Sequence, residues 1–215
     1  MLNKKYLLPS AYLAPSSYYA LLINYPNSII EQYEYFTKQT IRNRCSIDSA
    51  NGPLILSIPK VRKSSSKTLM KDIQICYTEP WQKVHWNAIK SSYNSSPFFE
   101  YYMDEFSIIY NDKEKYLLDL NIKAHQLILK FLQIENSGNL STKYIRESEC
   151  KDLRKNLFKI NQEIKYDQVF STKNGFEKDL SIIDLIFNLG PESNNYLKKI
   201  DISKICHISK TIVTK

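Results

Sequence analysis

The first thirty residues alternate between short hydrophobic runs and turn-forming residues. Residues 6–8 (Tyr-Leu-Leu) predict a short strand that ends at Pro9, because proline cannot donate to a ladder of backbone hydrogen bonds. Ser16 or Ser17 is placed to cap a short helix, and residues 28–32 predict a second strand. A strand, a helix and a strand within this length indicate a right-handed βαβ-like unit.

The next hydrophobic segments predict a central pair of strands. Residues 54–58 (Leu-Ile-Leu-Ser-Ile) form the clearest strand pattern, and Pro59 ends it. Residues 70–77 alternate with a period of two, which also predicts a strand. We expect these two strands to form a hairpin around the serine-rich loop between them. The pattern of residues 36–47 leaves helix and irregular structure as open alternatives.

Beyond residue 78 the hydrophobic period changes to that of helices. The first predicted helix has Thr78 as its N-cap and Pro80 in its first turn. A second helix is predicted after Pro97, and a third over residues 115–133.

The last third of the chain is less regular. Residues 142–145 predict a strand, and residues 150–166 a charged surface helix. Residues 182–188 predict a hydrophobic helix that ends at Gly190. The tail after Ile200 is either a last strand or ordered coil.

These elements predict an α/β fold: a single mixed α/β core with an N-terminal βαβ-like unit, a central strand pair and a helical C-terminal half. We expect one domain over residues 1–215, with a strand-rich part at 1–77 and a mainly helical part at 78–200. A chain of this length buries roughly 70% of its unfolded surface, so it needs no disulfide or metal to hold its core together.

Glycine is scarce, with four residues at positions 52, 138, 175 and 190. Loops that cradle phosphates need several glycines close together, because the backbone approaches the phosphate closely there. The spacing excludes a P-loop and a dinucleotide-binding Rossmann fingerprint. Any phosphate would have to be held by side chains or helix N-termini.

The four cysteines predict reduced thiols in a cytoplasmic protein. Cys45, Cys76, Cys150 and Cys206 form no CxxC pair, so we expect no metal site, and no cofactor is indicated. Prolines and serines interrupt the apolar N-terminal stretch, which predicts neither a signal peptide nor a membrane span.

The positive charge is concentrated in one segment. The chain carries a net charge of +8, and residues 38–71 hold eight basic residues but one acidic residue, Asp48. The eight are Lys38, Arg42, Arg44, Lys60, Arg62, Lys63, Lys67 and Lys71. A concentrated basic segment beside a nearly neutral remainder indicates an anionic partner, and a solubilising loop is the alternative for residues 60–67.

Two arginines and a histidine are the main candidates for chemistry. Arg42 and Arg44 lie among apolar residues, so either a ligand or a structural ion pair would have to satisfy an inward guanidinium; both alternatives stay open. His85 is the candidate acid or base, because imidazole titrates near neutral pH and this one begins a predicted helix. Its alternative is a core histidine bonded to a carbonyl. His125 lies in a predicted helix among apolar residues and is interpreted as structural, and His207 lies in the tail.

Three further side chains extend this candidate site. Asp72 could orient His85 or bind a sugar hydroxyl, its alternative being a surface ion pair. Trp81 and Trp86 are five residues apart and cannot face the same way on a helix. We expect one to pack in the core and the other to line a pocket.

With these segments in view, the chain resembles the WbqC-like protein family over about residues 6 to 197. The matching motifs lie in both halves of the chain: Leu8-Pro9-Ser10-Ala11-Tyr12-Leu13-Ala14-Pro15; Lys38-Gln39-Thr40 with Arg42-Asn43-Arg44; Asn51-Gly52 before Leu56-Ser57-Ile58-Pro59; Lys71-Asp72-Ile73; Trp81-Gln82-Lys83-Val84-His85-Trp86; Ser95-Ser96-Pro97-Phe98-Phe99; and Leu180-Ser181-Ile182-Ile183-Asp184-Leu185. Many members carry Trp-x-Gly-Tyr-Phe where this chain has Ser16-Ser17-Tyr18-Tyr19.

The resemblance implies a role and additional site residues. Some family members belong to O-antigen or other surface-polysaccharide gene clusters, which implies a cytoplasmic role in polysaccharide biosynthesis. By resemblance, Tyr12, Lys38, Gln39, Asn43 and Lys71 join the substrate-binding group.

The leading hypothesis is therefore a transferase-type enzyme that binds a small anionic substrate such as a nucleotide-sugar. Its main rival is a nucleic-acid-binding module, which the basic pI favours but which no known motif supports. A non-catalytic scaffold of a glycan-assembly complex is the third alternative. The sequence does not predict an oligomeric state.

Overall fold

A computed structural model describes residues 5–62, 67–135, 137–146, 150–155 and 164–204. Within these ranges the strands are β1 (Tyr6–Pro9), β2 (Ile29–Glu31), β3 (Arg44–Ile47), β4 (Leu54–Ser57), β5 (Asn139–Leu140) and β6 (Lys151–Asp152). The α-helices are α1 (Ser16–Asn24), α2 (Trp81–Tyr93), α3 (Phe99–Asn111), α4 (Leu117–Phe131), α5 (Ser171–Asn174), α6 (Ile182–Leu189) and α7 (Ser193–Lys199).

A parallel sheet has the strand order β5-β2-β1-β6. Leu7 and Leu8 of β1 are fully buried, as expected for a strand covered on both faces. Helix α1 connects β1 to the parallel strand β2, with Leu7 paired to Ile29. The predicted βαβ-like unit is confirmed, and so is the mixed α/β fold class.

The second sheet is an antiparallel pair, but its partner strand differs from the prediction. Strand β4 pairs with β3, with Cys45 opposite Leu56, so the open segment 36–47 supplies a strand. Residues 70–77 form no continuous strand: Met70–Asp72 is a 3-10 helix, and Gln74 and Ile75 make isolated bridges to different segments. Both the predicted strand at 70–77 and its hairpin with residues 54–58 are therefore wrong.

The three predicted central helices are confirmed as α2, α3 and α4. Helix α2 begins at Trp81 with Pro80 as its N-cap, so the cap predicted at Thr78 is wrong. Phe106 of α3, Leu120 of α4 and Phe187 of α6 are fully buried in one hydrophobic core.

The remaining elements are partly corrected. The strand predicted at 142–145 lies earlier, as β5, and the surface helix predicted from residue 150 begins instead with β6. Residues 156–163 lie outside the described residues, as do Lys63, Cys206 and His207. The tail is described as far as Lys204 and ends in a short 3-10 helix, Ile202–Lys204.

Within the described ranges, no helix combines the length and the apolar character that crossing a bilayer requires.

Helix α6 ends at Gly190, as predicted, and two features of this position require a glycine. Its φ angle is +53°, and a Cβ built there would lie 2.5 Å from Cδ1 of Phe98. A side chain at this position would be strained by the backbone and would also collide with a packed ring.

We expect Gly190→Ala to lower the free energy of unfolding by about 2–3 kcal/mol, measured by urea denaturation. Gly52→Ala is the matched control, because Gly52 also has a positive φ (+92°) but nothing lies within 4 Å of the added Cβ. Equal losses in the two variants would show that the Phe98 contact has no energetic effect.

Candidate functional site

The carboxyl ends of the parallel strands are lined by buried polar side chains. Ser10 directly follows β1, and Glu31 ends β2. The Glu31 carboxylate accepts hydrogen bonds from the hydroxyl of Ser141, which follows β5, and from the backbone N–H of Tyr33 and Ile145 (2.7–2.8 Å). In open α/β sheets, ligands bind outside this edge.

A buried ion pair extends this polar layer. The Arg42 guanidinium donates to both carboxylate oxygens of Glu34 (2.8 and 2.7 Å) and to the carbonyl of Arg154 (3.1 Å). Arg42 is 3% exposed. Burial raises the pKa of Glu34, although Arg42 acts to lower it. Of the two alternatives for Arg42, the structure therefore contains the structural ion pair.

Asn43 and Arg44 hold the antiparallel pair together. The Asn43 amide donates to the carbonyl of Ile58 (3.2 Å), and Nε of Arg44 donates to the hydroxyl of Ser57 (3.3 Å). Arg44 keeps part of its surface in solvent, so unlike Arg42 it is accessible to a ligand.

Three cations of the basic segment interact electrostatically, and we call them the cation cluster: Lys38, Lys60 and Arg62. Burial lowers the pKa of Lys60, and the positive charges of Lys38 and Arg62 lower it further. In the part of the chain that the structure describes, none of the three forms an ion pair. Gln39 lies beside Lys38 in an exposed turn, with a φ angle of +59°. A bound anion would relieve the mutual repulsion.

Lys71 and Asp72 lie in the 3-10 helix and not on a strand. The Lys71 ammonium is 5.0 Å from the ring centroid of Tyr33, while its backbone N–H donates to the carbonyl of Gln32. Both side chains are half-buried. Orientation of the His85 imidazole by the Asp72 carboxylate stays a prediction.

His85 lies in the interior, in a chain of hydrogen bonds. Its Nδ1 is 3.1 Å from the Tyr12 hydroxyl, which is 2.7 Å from the Tyr110 hydroxyl. Burial lowers the pKa of His85 to about 4, although a hydrogen bond with the Ser57 backbone acts to raise the pKa of this imidazole.

The two tryptophans take different environments. Trp81 is buried and makes an edge contact with His85 (centroids 5.1 Å apart). Trp86 stacks on Tyr110 (5.9 Å, 26°) and lines an open groove of about 460 Å³, together with Lys83 and Lys113. Substrate binding by either tryptophan stays a prediction.

A second cavity, of about 210 Å³, lies between helices α1 and α4 and the parallel sheet. Its polar lining comes from Ser10, Tyr18, Tyr19, Asn121, His125, Gln126, Ser137 and Asn139. Neither this cavity nor the groove includes Arg42, Arg44 or His85 in its lining. The three residues that sequence analysis expects to converge are thus distributed over an ion pair, a strand surface and a buried hydrogen-bond chain.

Sequence analysis missed several residues that define these environments. Glu34 precedes the basic segment and gave no motif signal. Asn121 lies in an amphipathic helix, where a single buried polar residue at a core position could have been noticed. His125, treated as structural, lines the cavity with its Nε2 3.0 Å from the Ser137 carbonyl.

Taken together, a parallel sheet with a βαβ start, a separate antiparallel pair and a helical second half define a mixed α/β protein. The chain belongs to the WbqC-like protein family, which it matches over residues 10–173 and 136–196, so the resemblance is confirmed.

One curated relative covers nearly the same length. "Uncharacterized protein Rv1507c" of Mycobacterium tuberculosis (strain ATCC 25618 / H37Rv) is 24% identical over 231 residues, which span 92% of this chain and 98% of the relative. No solved structure matches the chain significantly.

Proposed function

We propose that this protein is a cytoplasmic transferase-type enzyme that acts on an activated, phosphate-bearing sugar or a related small anion. The observation that carries the proposal is the cation cluster, in which burial lowers the pKa of Lys60 and the charges of Lys38 and Arg62 lower it further. Among the described residues no carboxylate forms an ion pair with these three cations, and like charges held together in this way favour binding of a multiply charged anion. Membership in the WbqC-like family supports a role in surface-polysaccharide biosynthesis, by association alone.

In this proposal the cation cluster, and not Arg42, binds the phosphate. The Arg42 guanidinium is committed to Glu34, and a ligand would have to replace a bidentate pair. A catalytic role for His85 requires proton transfer through Tyr12 to Tyr110, because Tyr110 is the member of this chain that lines the groove.

We expect Lys60→Gln to weaken binding of nucleoside diphosphate sugars by about ten- to a hundredfold, since one charge-assisted contact to phosphate contributes about 1.5–3 kcal/mol. Thermal shift and calorimetric titration against a panel of nucleotide-sugars measure the effect. Lys198→Gln, which removes an exposed lysine of α7, is the control and should bind like the wild type. A wild-type protein that binds no member of the panel would refute the proposal.

One observation favours a nucleic acid as the second candidate ligand. Lys71, Lys60 and Lys67 lie over the rings of Tyr33, Phe36 and Tyr35, respectively, at 5.0–5.9 Å, and Tyr35 is 58% exposed. Exposed aromatic rings beside cations are typical of surfaces that stack single-stranded bases. Oligonucleotide affinity that falls steeply with salt, together with no response to nucleotide-sugars, would favour this candidate.

A further inference from the structure

An exposed aromatic ring lies just before the cation cluster along the chain. Residues 31–71 contain three aromatic residues, Tyr33, Tyr35 and Phe36. Tyr33 and Phe36 are half-buried, whereas Tyr35 is 58% exposed. This part of the chain therefore presents a single aromatic ring to solvent, and not a row of rings.

The backbone on both sides of Tyr35 is fixed by hydrogen bonds. The carbonyl of Glu34 accepts from the N–H of Met70 (2.8 Å), and the N–H of Phe36 donates to the carbonyl of Thr68 (2.9 Å). A segment that is already ordered loses little conformational entropy when a ligand covers its side chain. The exposed ring of Tyr35 is therefore a preorganised surface for a flat ligand group.

The cation cluster lies next to this ring. The Lys60 ammonium is 5.9 Å from the ring centroid of Phe36, the residue that follows Tyr35. Lys38 comes three residues after Tyr35, so the Cα atoms of the two residues are at most about 11 Å apart. Lys38 and Arg62 interact electrostatically with Lys60. One small ligand can therefore reach both the Tyr35 ring and the cations.

The Tyr35 ring already contacts one cation, since the Lys67 ammonium is 5.9 Å from its centroid. A cation–π contact at an exposed site is weaker than the stacking of a base on an aromatic ring, so a base can displace this ammonium. Surfaces for single-stranded nucleic acids stack successive bases on several rings. A single exposed ring beside three cations instead fits one base joined to one charged group.

We infer that this surface binds a nucleoside diphosphate group, with the base stacked on the Tyr35 ring and the diphosphate bound by Lys38, Lys60 and Arg62. The inference rests on the proposed function and specifies that the activating group of the substrate is a nucleotide. A diphosphate carries the multiple negative charges that clustered cations favour. Stacking is possible for every base, so Tyr35 positions the nucleotide without selecting its base.

Calorimetric titration with adenosine diphosphate and with inorganic pyrophosphate tests the inference, because the two ligands share the diphosphate and differ in the base. We expect Tyr35→Ala to weaken binding of adenosine diphosphate by about 5- to 150-fold and to leave pyrophosphate binding unchanged. Tyr35→Phe keeps the ring and should bind both ligands like the wild type. Tyr101→Ala, which removes a tyrosine that is 80% exposed on α3, is the matched control.

The possible results separate this inference from the proposed function. Pyrophosphate binding that is lost in Lys60→Gln, with equal affinity of wild type and Tyr35→Ala for adenosine diphosphate, would overturn the inference and leave the proposed function intact. A wild-type protein that binds neither ligand would overturn both. Binding of a deoxyadenosine oligonucleotide that is tighter than that of adenosine diphosphate and falls steeply with salt would overturn the inference in favour of a nucleic acid.

Discussion

Replacement of Arg42 by alanine is expected to cost about 3–5 kcal/mol of unfolding free energy, because it leaves the Glu34 carboxylate buried without its counter-charge. The side chains of Arg42 and Glu34 are 4% and 9% exposed, so solvent cannot compensate. Burial already raises the pKa of Glu34, and loss of Arg42 raises it further. The loss should therefore be largest at neutral pH and become smaller on acidification, as Glu34 takes up a proton.

Urea denaturation of matched variants separates the ion pair from simple truncation. Lys123→Ala removes the cation of a solvent-exposed pair with Asp112, where the carboxylate is 60% exposed, and should cost at most about 1 kcal/mol. The double variant Arg42→Met with Glu34→Leu should recover much of the stability, because no charge is left buried. A single Arg42→Ala variant as stable as Lys123→Ala would contradict this interpretation.

Replacement of His85 by glutamine is expected to change how stability depends on pH. Burial lowers the pKa of His85 in the folded protein to about 4, against an ordinary value of 6.5. The unfolded chain therefore binds the proton first as the pH falls. The stabilisation is complete above pH 6.5 and is lost progressively toward pH 4, by about 3 kcal/mol in total. Glutamine offers both a hydrogen-bond donor and an acceptor at this position but does not titrate.

Another buried group changes stability with pH in the opposite direction. The quantity to measure is therefore the difference in unfolding free energy between variant and wild type at each pH. Burial raises the pKa of Asp184 from 3.8 to about 6, and protonation of this carboxyl on acidification favours the folded state. Asp184→Asn should therefore remove a pH dependence of stability whose sign is opposite to the one that His85→Gln removes. Unfolding free energies of His85→Gln and wild type that run parallel between pH 4 and 7 would show that His85 is not held neutral.

The parts of the fold predicted from the sequence are those with a local signal. The βαβ-like unit follows from short hydrophobic runs separated by Pro9 and by the turn at Pro26, and helices α3 and α4 from their apolar spacing. The end of α6 at Gly190 follows from the requirement for a positive φ. Each of these signals lies within about fifteen residues of the element it defines.

The errors occur where partners distant along the chain decide the structure. Ile73 and Ile75 are buried, as their alternation predicts, yet the backbone around them pairs with several segments, including Lys115 and Pro59. Side-chain alternation reports which face is buried and not whether a continuous ladder forms. Strand β3 was not predicted because it begins with a polar residue, Arg44, which lies on the solvent side of an alternating pattern.

The residue types of the candidate site were predicted better than their contacts in space. The basic segment identified the region of the cation cluster, but charge alone could not separate Lys60 from Arg42, whose partner Glu34 lies outside the segment. The environment of Asn121 depends on Ser10, 111 residues away. Contacts of this kind are set by tertiary packing and leave no local pattern.

Binding of a phosphate-bearing anion by Lys38, Lys60 and Arg62 should change the side-chain pKa of Lys60. A pH titration followed by NMR of the lysine ε-methylene resonances gives this pKa with and without inorganic pyrophosphate. We expect a pKa below the ordinary lysine value in the free protein and a rise when pyrophosphate binds, because the anion offsets the repulsion from Lys38 and Arg62. A Lys60 pKa that is the same with and without saturating pyrophosphate would contradict it.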